Sequence, residues 1–136
     1  MAKLSVILAS EKLDKVYPAL NIALVASISG WDVDVFFTFW GLLLLKKGYM
    51  PSGVSTDYRE YQDRLTKAIT DGLIPNWKDI IEKAKDTGRV KIYACSTTMN
   101  LLGVGKEELE TFVDGIVGAS YLLGRIKESD ATLFIS

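Results

Sequence analysis

The chain has 136 residues, a formal net charge of −1 and a pI near 5.5, with 49% hydrophobic and 24% charged residues. That balance excludes a disordered chain and a nucleic-acid binder working through bulk charge, and the length lets one domain, residues 1–136, bury its own core. With no histidine, Ser-His and Cys-His nucleophile pairs and imidazole metal sites are excluded. A single cysteine, Cys95, excludes an internal disulfide, a C-x-x-C redox pair and a thiolate zinc cluster.

In chain order, Leu4 to Ala9 is a short, almost wholly apolar run, the pattern of a strand covered on both faces. Ser10 is placed to cap the helix that follows, whose apolar positions Leu13, Val16, Tyr17, Leu20, Ala23 and Leu24 recur at three and four. Pro18 lies inside that pattern and predicts a kink or restart, and Gly30 closes it. Val33 to Phe39, rich in β-branched and aromatic residues, is the second strand, and Trp40 to Leu45 a short helix. The apolar stretch Val35 to Leu45 is well short of the ~20 residues of a membrane-spanning helix.

Lys46 to Thr56 carries turn residues and no period, and reads as a loop. Tyr58, Tyr61, Leu65, Ala68 and Ile69 share one helical face, closed by Gly72, and Asn76 caps a further helix over Trp77 to Asp86. Val90 to Cys95 is the third strand, followed by a brief helix ending at Gly103. Lys106 to Glu110 is another short helix, Val113 to Val117 a weak fourth strand, Gly118 to Ser129 a helix, and Ala131 to Ile135 the last strand. Five strands separated by helices predict an α/β fold with an open parallel sheet.

In such a sheet the strand C-termini share one edge, and ligands bind outside it. Ser10, then Thr38 to Gly41, then Cys95 to Asn100 follow strand ends, so topology brings Cys95 to the functional edge. A helix beginning near Thr97 aims unpaired N–H groups and partial positive charge at the sulfur, which favours the nucleophilic thiolate. The hydroxyls of Ser96, Thr97 and Thr98 add donors. With no histidine, further activation falls to these dipoles or to a base such as Lys46, Lys47 or Arg125.

Spacing argues against several cysteine chemistries. A C-x5-R phosphatase loop needs arginine where Leu101 stands, and a rhodanese-like loop needs basic and glycine residues that CSTTMN lacks. A peroxiredoxin carries threonine three residues before its cysteine, where this chain has Ile92. Phe36, Phe37, Phe39 and Trp40 read as core or subunit contact, and Met99 as pocket wall. Single glycines at 41 and 103 carry no phosphate-loop claim, and no motif points to a cofactor or a metal. The plainest alternative is a Cys95 buried as a small hydrophobe.

The segments FFTFWGLLLLKK, IYACSTTMNLLG, GIVGASYLL and ATLFIS, in this order and spacing, resemble the DsrE/DsrF/DsrH-like family, in particular its DsrE-like branch, sometimes labelled peroxiredoxin-like. The resemblance spans nearly the whole chain and is weakest between Tyr49 and Leu73. It implies a three-layer α/β/α fold with a five-stranded parallel sheet, assembled into homo-oligomers. It also implies intracellular sulfur relay, in which the family cysteine takes sulfane sulfur as a persulfide and passes it to a carrier such as a TusA-like protein. Cys95 matches that cysteine, Thr38, Trp40 and Gly41 match its TFWG element, and Met99 and Gly103 match the pattern after the cysteine. The polar STDYREYQDRLTK departs from the methionine- and glycine-rich segment of relatives.

The expected function is therefore a cytoplasmic sulfur carrier or sulfurtransferase acting through Cys95, with Ser10, Thr38, Trp40, Gly41, Ser96, Thr97, Thr98, Met99 and Asn100 forming its pocket. Its expected partner is a TusA-like protein or another thiol acceptor, without nucleic acid and without a transmembrane span. The alternatives are a non-catalytic oligomeric assembly subunit with a structural Cys95, and one-cysteine peroxide reduction. The apolar VFFTFW and LLLL segments, more than one small domain buries alone, motivate the assembly reading.

Overall fold

A computed structural model describes residues 2–136. Its five strands, β1 (Lys3–Leu8), β2 (Asp32–Phe37), β3 (Val90–Cys95), β4 (Gly115–Val117) and β5 (Ala131–Ile135), form one parallel sheet in the order β4-β3-β2-β1-β5. The helices are α1 (Leu13–Ile28), α2 (Gln62–Thr70), α3 (Trp77–Asp86), α4 (Ser96–Leu102) and α5 (Ala119–Lys127). The predicted alternation of strand and helix stands: β3, β5 and α3 have the predicted bounds, and β1, β2, β4 and α5 differ by one or two residues at one or both ends.

Alternation along the strands divides the side chains between two faces. Val6, Leu8, Val33, Val35, Phe37, Ile92 and Ala94 point to the face covered by α1 and α3 and form the main core with Val16, Leu20, Ile80 and Ile81. Each such fully buried aliphatic side chain contributes roughly 1.5–3 kcal/mol of transfer free energy. Ile7, Phe36 and Tyr93 point the other way and pack against Leu122 and Ile126 of α5. The result is the three-layer α/β/α arrangement. Strands β1 and β2, buried along all but their first residue, read as continuous runs with few polar residues, whereas edge strands β4 and β5 are only partly covered.

One charged residue sits inside this second layer. Asp34 on β2 is 1% exposed, and Arg125 of α5 grips it through Nε (2.7 Å) and Nη2 (3.2 Å), with Lys3 Nζ at 3.4 Å. A buried carboxylate requires such partners, so the pair fixes α5 against the sheet. Tyr93 and Tyr121 hydroxyls meet beside it at 3.1 Å.

Several local expectations are corrected. Helix α1 runs through Pro18 without a restart, with Pro18 on its exposed face. Ser10 does not cap α1. Lys12 stands at the cap position, and Ser10 Oγ accepts from Lys12 N–H at 3.1 Å. Tyr58 and Tyr61 belong to a 3₁₀ segment, Thr56–Tyr61, broken at Tyr58, and both are exposed, so α2 begins four residues later than Tyr58. The Trp40–Leu45 helix is likewise 3₁₀ and starts at Phe39. Asn76 caps α3 as expected, its Oδ1 accepting from Lys78 N–H at 3.0 Å.

The aromatic and leucine runs do not demand a partner to the degree expected. Phe36, Phe37, Leu42, Leu44 and Leu45 are buried within the chain, and only Phe39 and Trp40 of that stretch remain half exposed. No helix of the described residues is long and apolar enough to cross a membrane.

Candidate functional site: the Cys95 cavity

Strand β3 ends at Cys95 and α4 begins at Ser96 with no intervening loop. Cys95 thus precedes the first turn of a helix whose leading N–H groups have no carbonyl partner within it. The N–H groups of Thr97 and Thr98 act on the sulfur instead and lower its pKa. Cys95 is partly buried and is a free thiol.

The hydroxyls complete the arrangement. Thr98 is 2% exposed, its Oγ1 accepts from Phe39 N–H at 3.0 Å and lies 3.3 Å from Thr38 Oγ1. Because Thr98 Oγ1 is an acceptor toward Phe39, its single proton is free to point at Cys95 Sγ. Thr38 donates to the same sulfur. Burial pushes the thiol pKa up, but the hydroxyls of Thr98 and Thr38 and the two backbone N–H groups outweigh it and hold the thiol below its ordinary value. The thiol is thus made more acidic without a basic side chain beside it.

The turn carrying Thr38 is under tight constraint. Phe39 has φ +46°, the one positive φ at a non-glycine position among the described residues. The left-handed conformation costs roughly 1–2 kcal/mol at such a residue. Its hydrogen bond to Thr98 holds it there. Two residues on, a Cβ at Gly41 would fall 2.3 Å from the carbonyl oxygen of Leu8, so only glycine lets the chain cross the end of β1. Steric necessity, rather than chemistry, accounts for the glycine of TFWG.

Beside Cys95 opens a cavity of about 300 Å³. Phe36, Phe39, Val117 and Leu122 form its apolar walls, Thr38, Thr97 and Thr98 supply hydroxyls, and Gly118 and Ala119 at the start of α5 leave it room. Of the residues expected here, Cys95, Thr38, Thr97 and Thr98 converge on it. Ser96 lies at its edge, near Gly118. Met99 is buried in the main core rather than forming pocket wall, and Asn100 is exposed outside the lining. Ser10 and Trp40 line a different depression, with Glu11, Tyr49 and Ser52.

The sequence reading missed Phe36, Phe39, Val117, Leu122 and the small pair Gly118–Ala119. The small pair Gly118–Ala119 directly after the fourth strand was the one local signal. The named bases do not reach the thiol. Arg125 is held by Asp34, Lys47 Nζ donates to the Glu107 carbonyl, and no lysine or arginine lines the cavity. No group of histidine, cysteine and carboxylate side chains able to hold a metal occurs among the described residues.

The second depression is built on Glu11, 6% exposed at the end of β1. Its carboxylate accepts from Tyr49 hydroxyl (2.7 Å), Ser52 N–H (2.8 Å) and Ser52 hydroxyl (2.8 Å). One turn on, Asp14 accepts from Ser55 N–H at 2.7 Å and from its hydroxyl. Together these carboxylates pin the segment 49–55 to the start of α1.

An open parallel sheet with a donor-ringed thiol at the end of a central strand, facing an apolar cavity, defines a thiol-centred α/β protein. The chain belongs to the DsrE/DsrF/DrsH-like family, which matches residues 1–62 and 55–134. It is 30% identical to the sulfur carrier protein DsrE2 of Allochromatium vinosum, over 98% of each chain. It is 29% identical to the uncharacterized protein YrkE of Bacillus subtilis, over 96% of this chain and 95% of that one. Among solved structures it is similar in fold to the ychN protein of E. coli, with a TM-score of 0.69, 17% identity and coverage of 98% and 99%. The protein MTH1491 of Methanobacterium thermoautotrophicum gives a TM-score of 0.63 at 15% identity, with the same coverage.

Proposed function

We propose that this protein is an intracellular sulfur carrier that holds sulfane sulfur on Cys95 and hands it to a partner thiol. The observation that carries the reading is the placing of a free thiol at the end of β3 and the start of α4, beside a cavity that Thr38, Thr97 and Thr98 line. Likeness to a protein named a sulfur carrier, over almost the whole chain, supports the same reading. In the first step the thiolate attacks the outer sulfur of a donor R–S–SH, forming Cys95–S–SH and releasing R–S⁻, which takes a proton from solvent. In the second, the acceptor thiolate attacks the outer sulfur of Cys95–S–SH and regenerates the Cys95 thiolate. No electrons are gained or lost overall, so one cysteine suffices.

The chain acts as one unit over residues 1–136. The acceptor is a small carrier protein of the TusA-like kind or another thiol, and the working form is a homo-oligomer. Incubation with polysulfide followed by intact-mass measurement tests the carrier role. The expected result is a gain of sulfur mass on the wild type and none on Cys95→Ser. No gain on the wild type, or an equal gain on the variant, refutes it, and a thiol that resists small alkylating reagents at neutral pH restores the packing role.

A further inference from the structure

We infer that Cys95 carries a chain of several sulfur atoms rather than a single one, and that Gly118 and Ala119 set how long the chain grows. The inference rests on the carrier reading above and adds the class of cargo, a polysulfane tail. Its ground is the space beside the thiol. The cavity holds about 300 Å³, whereas one added sulfur fills roughly the 30 Å³ share of a single water. A sphere of that volume is roughly 8 Å across and successive sulfurs stand ~2 Å apart, so roughly three or four fit in line from Sγ.

The lining suits such a tail along its length. Beyond Sγ the walls are Phe36, Phe39, Val117 and Leu122, against which polarizable sulfur packs well. The outermost sulfur is an anion at neutral pH, and polar groups are at hand for it. The Thr97 hydroxyl lines the cavity, and α5 opens there at Gly118 with no side-chain cap, so its first N–H groups have no partner within the helix. The backbone does not demand glycine at 118. Its φ is −103°, and a Cβ there would meet only Ser96 Oγ, at an ordinary contact distance of 3.8 Å. The contrast is Gly41, where a Cβ would strike the Leu8 carbonyl oxygen at 2.3 Å. What the missing side chain at Gly118 leaves is room in the cavity, and the lone methyl of Ala119 leaves more.

Loading and delivery balance without an oxidant. The Cys95 thiolate attacks an internal sulfur of a polysulfide dianion, so that one S–S bond forms at Sγ and one breaks in the donor. The part of the donor that holds the attacked sulfur stays on Cys95 as an anionic tail, and the rest leaves as a shorter dianion that takes a proton from solvent. In delivery the acceptor thiolate attacks the terminal –SH of the protonated tail. It leaves as a persulfide, and the tail remains on Cys95 as an anion one sulfur shorter. No electrons are gained or lost overall, and one loading serves several deliveries.

The test is intact mass under non-reducing conditions after incubation with excess sodium tetrasulfide. It compares the wild type, Cys95→Ser, Gly118→Val and Ala119→Leu, with circular dichroism reporting the fold. The wild type is expected to carry mainly two or more added sulfurs, and Cys95→Ser none. Gly118→Val and Ala119→Leu each narrow the cavity and are expected to shift the distribution to shorter chains. The share bearing two or more sulfurs is expected to fall at least about tenfold, a factor that ~1.4 kcal/mol of crowding supplies. A wild type that stops at one sulfur overturns the chain cargo and leaves the carrier reading standing. So does a folded variant of either kind that keeps the wild-type distribution. No added sulfur on the wild type sinks the carrier reading and this inference together.

Discussion

At the scale of single residues, Thr98 carries more than any neighbour of the cysteine. It donates to the sulfur through both hydroxyl and backbone, and its oxygen accepts the N–H that keeps Phe39 in a left-handed conformation. Replacing it with valine keeps the volume and removes the donor. A hydrogen bond to a charged group is worth about 1.5–3 kcal/mol, so Thr98→Val is expected to slow alkylation of Cys95 at pH 7 by about tenfold or more. The sign follows from the thiolate: losing a donor raises the thiol pKa, and the reactive fraction at fixed pH falls. The pH profile of iodoacetamide labelling measures it. Thr98→Ser, which keeps the hydroxyl, is expected to restore most of the rate, and an unchanged profile in Thr98→Val refutes the role.

At the scale of elements, the pinning of segment 49–55 depends on ionised carboxylates. Burial pushes the Glu11 pKa up, but bonds from Ser52 and Tyr49 and the charge of Lys12 outweigh it and hold it low. Asp14 is lowered in the same way, burial raising it and Ser55 overcoming the rise. Tyr49, buried and bonded to Glu11, is pushed up to about 12 and stays a donor throughout the physiological range. Carboxylates with lowered folded values stabilise the fold fully above their ordinary range of about pH 4–4.5, and that contribution is lost as pH falls through the folded values. Amide-exchange protection at Ser52 and Ser55 is therefore expected to collapse in that acid range before protection at β1 and β2 does. Glu11→Ala is expected to bring the loss to pH 7, at a cost of about 2–3 kcal/mol in denaturant unfolding. Simultaneous loss of sheet and segment contradicts independent pinning.

At the scale of the whole molecule, the sheet is unevenly covered. Helix α5 lies over Ile7, Phe36 and Tyr93, but Phe134, in register with Ile7 on edge strand β5, is 65% exposed. On the opposite face, Ile22, Val25 and Trp31 of the α1 region and Leu133 of β5 line an apolar groove of about 490 Å³. An edge strand flanked by apolar surface on both faces is a surface that assembly would cover. Sedimentation is expected to show a homo-oligomer, and Phe134→Lys to raise its dissociation constant at least about tenfold, the effect of one well-placed interface residue. A wild-type monomer at micromolar concentration rules that assembly out.

What the sequence alone determined were the features encoded within a few residues of one another. The apolar run of β3 and the turn to a polar STT segment placed Cys95 at a strand end. Asn76 was legible as a cap for the same reason. Tertiary structure decided what meets across the chain. Thr38 and Thr98 are 60 residues apart and share one cysteine, and Asp34 grips Arg125 across 91 residues. Neither pairing has a local signature, because right-handed crossovers, not neighbouring side chains, bring parallel strand ends to a common edge. Met99 shows the same limit from the other side. Its position after the cysteine suggested pocket wall, yet the 100° step between successive helical residues turns it into the core while Thr98 faces the sulfur.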